Sequence, residues 1–317
     1  ITMAGAGVNF GIIGTSVFNS LNSFTFLAIP AFIIAGDIMG VTGISNSLLN
    51  WVDSMVGRLR GSTGATAVVC SLLFGTLTGS SLATCTAIGT MMIPEMEKRG
   101  YDRAFSTGLT ATAGTIGVII PPSIPFVIYG VASGTSVGDM FKAGFIPGIL
   151  IGIGLMIVCW VISKKRGYKG IERTKNDESF LKVFLDSLPA LMAPVIILGG
   201  IYGGIFTPTE AAVVATVYSL FVGKFVYHEL TWKIVYESYA DMNGFTGLAL
   251  GFSMSFAAYL TMEQIPAKVA NVVLSAVSSK IAIIALIIVI LLVVGCFVDN
   301  ISSCLILTPV FLPMVKA

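Results

Sequence analysis

The stretch GTLTGSS, residues 75–81, and a second short piece, IIPPS, residues 119–123, decide how the rest of the chain is read. No charged residue lies between Gly61 and Pro94, yet Thr78, Gly79, Ser80 and Ser81 interrupt the run in its middle. A spanning helix needs about 20 apolar residues, and each side of the interruption offers only about 15. Neither arm crosses a bilayer alone, so the pair must turn back. Arg58 and Arg60 precede the first arm and Lys98, Arg99 and Arg103 follow the second, which places both ends on the cytoplasmic side. The pattern predicts a re-entrant helical hairpin at about 61–98. Non-helical backbone at membrane depth persists only where protein or a water-filled cavity satisfies it, so the polar tip is a site candidate.

Composition sets the frame. With 55% apolar and 11% charged residues and a mean hydropathy of +0.93, the chain reads as an all-α integral membrane protein of many spans. The five cysteines, Cys70, Cys85, Cys159, Cys296 and Cys304, sit in apolar runs without paired spacing, against both a disulfide framework and a metal cluster. The chain starts at Ile1 without a signal-peptide pattern and stops at Ala317 inside an apolar run, so a fragment is expected.

Taken in order, Ser23–Met39 predicts a span, Ile44–Met55 an amphipathic arm along the surface, and 61–98 the hairpin. The charge-free run Ala104–Gly138 is long enough to cross, but Pro121, Pro122 and Pro125 remove backbone donors and must break it. Ala143–Ser163 returns, and the basic loop KKRGYKGIERTKNDE (164–178) marks the cytoplasm. Further spans are expected at Ser187–Thr209, Ala211–Gly223 and Met242–Met262, followed by a second arm at Ile265–Ser279. A second split hairpin is expected in Ile281–Val298 and Asn300–Val315. On this threading all but four of the 18 Lys and Arg (Lys142, Lys268, Lys280 and Lys316) lie inside, as the positive-inside rule requires.

The two ends of the chain are alike. LNSFTFLAIPAF (21–32) aligns with MNGFTGLALGFS (242–253) with five identities, Ile44 falls on Ile265, and Gly75, Cys85 and Pro94 fall near Gly295, Cys304 and Pro313. Four spans separate the copies, so the second runs in the opposite direction, an inverted repeat. The expected organisation is therefore a first repeat at 1–163, a cytoplasmic loop at 164–185, scaffold spans at 186–240 and a second repeat at 241–317 that stops after its hairpin.

The tips suggest a chemistry without ionised side chains. At the first, one arm offers helix-end carbonyls around Leu77 and Thr78, and the other offers N-terminal amides at Ser81 to Thr84. Carbonyls suit a desolvated cation, and amides at a helix N-terminus suit a carboxylate. The prolines of the break should free the carbonyls of Gly117, Ile119 and Ile120. Oxygen ligands without Cys or His favour sodium over a transition metal. At the second tip, Asp299 stands in an apolar region beside Asn300, Ser302, Ser303 and Thr308, and such an acid reads as functional by default. Candidate substrate contacts are Ser81, Thr84, Ser123, Asn300 and Ser302. Asp37, near a span end, and Glu210, after TPT, read as structural, and His228 as a surface residue.

FTFLAIPAFIIAGDIM, GTLTGSSLATCTAIGTMMIPEM, RGYDRAFSTGLTATAGTIGVIIPPSIPFVIYG, GGIFTPTEAAVVA and GCFVDNISSCLILTPVFLPM cover most of the chain in order. Together they resemble the DctM-like large membrane (M) subunit of the tripartite ATP-independent periplasmic (TRAP) transporters. The resemblance implies an elevator-type secondary transporter of the bacterial inner membrane, with sodium as the coupling ion. Its implied partners are a small membrane (Q) subunit, a periplasmic substrate-binding (P) protein, an organic anion of the C4-dicarboxylate or sialic acid type and the lipid bilayer, with no nucleic acid. It carries a first sodium site, built mainly from backbone carbonyls, onto Thr78, Ser80, Gly117, Ile120 and Pro122, and a second onto Asp299. Compared with the family, an N-terminal helix and about 60 residues after the second hairpin are missing, by analogy with the first repeat.

Two other classes share part of this pattern. A stand-alone sodium-coupled dicarboxylate or citrate symporter would use the same paired hairpins without a binding protein. An intramembrane serine hydrolase could use Ser80 or Ser81 as nucleophile, but it needs a base within hydrogen-bond reach. The sole histidine, His228, lies on a distant cytoplasmic turn.

Overall fold

The computed structural model describes residues 14–15, 17–18, 22, 24–57, 61–168, 179–245, 250–276 and 279–316. The described elements are all helical. Arg58, Arg60 and most of the basic loop, 169–178, lie outside these residues, as do parts of the two aligned stretches. The chain divides into two compact units. The larger contains Ala31–Ile124 and Gly138–Ala240; the smaller contains Ile1–Pro30, Pro125–Val137 and Asp241–Ala317.

A 3-10 turn at Thr25–Leu27 opens into α1 (Ala28–Val41), which bends by 66° into α2 (Ile44–Val56). Ile44, Leu48 and Val52 recur at four-residue spacing on one face of α2, and all are buried. That face packs against α3 (Ser62–Thr78) and α8 (Phe180–Tyr202). Ser187 Oγ donates to Ser47 O at 2.7 Å, and Trp51 and Phe184 meet with centroids 6.4 Å apart. The amphipathic arm expected at 44–55 is therefore a helix whose apolar face is packed on the larger unit.

α3 packs against α4 (Ser81–Lys98), and both pack against α5 (Arg103–Gly114). The side chain of Asp102 starts α5 by accepting from Phe105 N at 2.9 Å. A 3-10 turn at Thr115–Val118 follows, then the break at 119–123, where the Pro121–Pro122 peptide is cis, and then α6 (Ile124–Ser133). Phe32, Ile38, Met39, Phe74, Leu77, Ile88, Met92 and Ile116 are buried where these elements meet.

α7 (Val137–Arg166), α8 and Pro208–Val226 are each long and apolar enough to cross a membrane. The third of these begins as α9 (Pro208–Phe221), fixed at its start by a capping box in which Thr207 N and Glu210 Oε2 pair at 2.8 Å. Glu210 thus does what an acid after TPT was expected to do. The loop expected at 164–185 is helical at both ends, because α7 continues to Arg166 and α8 begins at Phe180.

Over the span expected at Met242–Met262, α10 runs from Trp232 to Phe245 and α11 from Gly251 to Met262, and residues 246–249 between them lie outside the described residues. In the smaller unit, α11, α12 (Ile265–Ala276), α13 (Lys280–Val294) and α14 (Asn300–Lys316) pack around Ala270, Ile283 and Met314.

Candidate functional site

The first tip is a two-residue turn. Gly79 ends α3 in the left-handed conformation at φ 60°, donating its N–H to Gly75 O at 2.9 Å, a conformation that glycine adopts without a steric penalty. Ser80 is extended and caps α4, its Oγ accepting from Ala83 N at 3.4 Å. Thr84, fully buried, donates to Ser80 O at 2.7 Å and lies 3.0 Å from Thr78 Oγ1. Thr78 Oγ1 in turn accepts from Ser80 N at 3.3 Å. Thr78, Ser80 and Thr84 therefore form one closed set of hydroxyls and carbonyl around the turn.

The broken helix docks onto this tip through backbone. Ile124 N donates to Gly79 O at 3.2 Å. A Cβ placed on Gly79 would stand 2.8 Å from Pro122 O, one on Gly75 2.6 Å from Gly117 Cα, and one on Gly117 2.4 Å from Thr84 Oγ1 and 3.0 Å from Ser80 O. Gly36 is as close, with its Cβ position 2.9 Å from Thr78 Cα. Only glycine allows approaches of this kind, which bring Thr78, Ser80, Thr84, Gly117 and Pro122 into one buried neighbourhood.

Carbonyl accounting in the break follows from its prolines. Ile116 O accepts from both Ile119 N and Ile120 N, at 2.9 and 3.0 Å. Val118 O, deprived of an amide partner by Pro122, accepts from Ser123 Oγ at 2.6 Å. Pro121 and Pro122 carry no N–H, so the carbonyl of Gly117 lacks its i+4 amide and that of Ile119 its i+3 amide. Carbonyls that lose a helical amide to proline, close to a set of hydroxyls, are neutral oxygens that can contribute to a cation site. Among the described residues no three His, Cys, Asp or Glu side chains gather as metal ligands do. Hard neutral oxygens fit a small monovalent cation. Ser81 is half-buried on the first turn of α4, whereas the buried Ser123 is committed to Val118 O.

The second tip is built differently. α13 ends at Val294, and Asp299 caps α14, its Oδ2 accepting from Ile301 N at 3.1 Å and its Oδ1 from Ser302 N at 3.3 Å. Asp299 and Asn300 are exposed, while Ser302 is half-buried with its hydroxyl 3.5 Å from that of Ser253. A cavity of about 500 Å³ in this unit is lined by Tyr129, Leu291, Asn300, Ser303, Cys304 and Thr308 among others. The buried Ser303 Oγ has no hydrogen-bond partner among the described residues.

Sequence reasoning missed two features. One is the docking role of Gly36, Gly75 and Gly117, for which the four-residue spacing of Gly75 and Gly79 was the available signal. The other is the capping role of Asp299, which its place at the head of DNISS, before an apolar run, could have disclosed.

The described elements are all helical and several are long and apolar enough to cross a membrane, as in an all-α membrane protein. Comparison with known proteins makes the assignment specific: residues 2–317 match the family described as tripartite ATP-independent periplasmic transporter, DctM component, and the chain belongs to that family. It is 42% identical over 301 residues to the isethionate TRAP transporter permease protein DctMQ of Oleidesulfovibrio alaskensis, covering 94% of this chain and 47% of that one. It is 37% identical over 314 residues to the sialic acid TRAP transporter large permease protein SiaM of Vibrio cholerae (98% and 73%). It is 38% identical over 302 residues to the C4-dicarboxylate TRAP transporter large permease protein DctM of Pseudomonas aeruginosa (94% and 70%). The chain thus spans about half the length of the first relative and about 70% of the other two. The family consists of transporters, which removes the serine-hydrolase reading, and Ser80 Oγ serves here as a helix cap.

Proposed function

We propose that the protein is the large membrane component of a sodium-coupled TRAP system in a bacterial inner membrane. It takes up a small organic anion delivered by a periplasmic binding protein and works with a small membrane subunit. The observation that carries this reading is the docking of the proline break onto the 79–80 turn, where Ile124 N donates to Gly79 O and Gly117 packs against Thr84 and Ser80 O. Sodium, as co-transported cargo, would be held there by neutral oxygens, with Pro122 O at the edge of the site. A second ion would be held near Asp299. The anion would be met by Ser81, Ser123 and the first amides of α4, where the helix dipole favours negative charge; in the smaller unit, Asn300 and Ser302 are the residues proposed for an anion.

Isethionate, sialic acid and C4-dicarboxylates, named for three relatives, share a compact anionic group and no larger scaffold. That common denominator fits recognition by helix amides and hydroxyls. The helix pairs 62–98 and 280–316 are each too short in either arm for a full span, at 17 and 18 residues in the first and 15 and 17 in the second. In our reading both are re-entrant hairpins of an inverted repeat, and transport proceeds by an elevator movement.

The test is uptake by the full membrane assembly in proteoliposomes, with and without the binding protein and an inward sodium gradient. Uptake should need both. Uptake without the binding protein would return the stand-alone symporter, and uptake indifferent to sodium would remove the cation from the tip.

A further inference from the structure

We infer that the C-terminal end of α7 is a binding site for an anionic phospholipid headgroup, formed by Trp160, Lys164 and Lys165, an inference that rests on α7 crossing the bilayer. The charge-free run Ala143–Ser163 holds 21 residues, about 31 Å of helix at 1.5 Å per residue, which matches the hydrocarbon thickness. Trp160 then falls in its last turn, and Lys164 and Lys165 fall at headgroup level. The flank of α7 leading to this point carries exposed Ile153, Ile157, Val158 and Val161, and only 17% of its most apolar window is buried. Acyl chains can therefore reach the indole, which is 51% exposed. Lys164 Nζ stands 5.4 Å from the Trp160 ring centroid.

The charges around this end single out the two lysines. α7 abuts the turn between α4 and α5: Tyr168 stacks on Tyr101 with centroids 4.1 Å apart, and Arg166 pairs with Asp102 at 3.6 Å. The end of α4 and that turn contribute three acids, each already engaged. Glu95 pairs with Arg99 and Lys98, Glu97 with Arg103 and Asp102 with Arg166. Among the described residues no carboxylate pairs with Lys164 or Lys165. Lys164, over the indole, and its exposed neighbour Lys165 have no carboxylate partner among the described residues, and a lipid phosphate at the level of the indole supplies the anion.

The measurement is quenching of Trp160 fluorescence by brominated phospholipids, made on the protein with Trp51→Phe and Trp232→Phe so that Trp160 alone reports. Brominated phosphatidylglycerol should quench at a lower mole fraction than brominated phosphatidylcholine. In Lys164→Gln/Lys165→Gln the preference should fall roughly thirty-fold, about five-fold for each lysine. Raising salt from 0.1 to 1 M should compress the preference in the unsubstituted pair, since the screening length falls from about 10 to about 3 Å. This arm remains informative if the double variant fails to fold. Equal quenching by both lipids, or a preference that survives removal of both lysines, overturns the site. Loss of the preference on adding inorganic phosphate at unchanged ionic strength overturns the lipid as its occupant. Transport can fail in Lys164→Gln/Lys165→Gln or persist without bearing on this readout, so the lipid site and the proposed function fall separately.

Discussion

The helix pairs 62–98 and 280–316 have equal lengths, yet their tips are opposites. The first turns in two residues, closes a set of buried hydroxyls on itself and receives another backbone through glycines that tolerate no Cβ. The second takes five residues, 295–299, to turn and presents an exposed Asp299 and Asn300, with one carboxylate satisfying the helix amides. The lesson is that a polar break in an apolar run can be built by backbone geometry or by a charged cap. The two constructions respond differently to substitution.

The largest expected effect lies in the first tip. Gly75→Val places carbon where Gly117 Cα already is, 2.6 Å away. Overpacking typically costs about 1–3 kcal/mol, and here the obstruction is backbone, which cannot swing aside. Transport should be lost, with a clear fall in melting temperature. Gly295→Ala in the second turn, where the nearest atom is Leu291 O at 3.0 Å, should leave both within error. If Gly75→Val transports normally, the break does not dock on the tip.

Next comes Pro121→Ala/Pro122→Ala. Restored amides can bond the carbonyls of Gly117 and Val118 in the helical i to i−4 pattern. Removing an ion ligand is worth about 1–3 kcal/mol, so half-maximal transport should need roughly ten- to a hundred-fold more sodium. Helical content should be equal or slightly higher. Unchanged sodium dependence in a folded double variant would place the cation elsewhere.

These two predictions mark what sequence could and could not supply. The turn at Gly79–Ser80 and the break at Pro121–Pro122 were legible because glycine, serine and proline each constrain backbone locally: a left-handed residue, a cap, a missing donor. The match of Gly75 to Gly117 was not, because it joins segments 42 residues apart in the chain and neither sequence names its partner. The capping role of Asp299 was not read from the sequence: its side chain is exposed at the head of α14 and accepts from Ile301 N.

A smaller effect separates the two roles left to Asp299. Asparagine caps a helix about as well as aspartate, while alanine costs about 1 kcal/mol. Asp299→Ala should therefore lower the melting temperature measurably, and Asp299→Asn should not. If the carboxylate also helps to hold sodium, Asp299→Asn alone should raise the sodium requirement in a protein of normal stability. A sodium response identical to the parent's would leave Asp299 as a cap only.

The smallest structural effect is expected at Ser302, and that makes it the clearest probe of the substrate. Its hydroxyl reaches only Ser253 Oγ at 3.5 Å, the limit of a hydrogen bond, so Ser302→Ala should change stability by no more than about 0.5 kcal/mol. Thr84→Val offers no such separation, because Thr84 Oγ1 holds Ser80 O at 2.7 Å inside the first tip. A loss of transport there would mix folding with binding. If Ser302 donates to the anion, its removal costs one hydrogen bond to a charged group, about 1.5–3 kcal/mol, or roughly ten- to a hundred-fold in the substrate concentration for half-maximal uptake. The sodium requirement and melting temperature should stay where they were. A Ser302→Ala protein that matches the parent in substrate affinity would move the anion away from the second tip and onto the α4 amides beside Ser81, leaving the first tip to bind both cargoes.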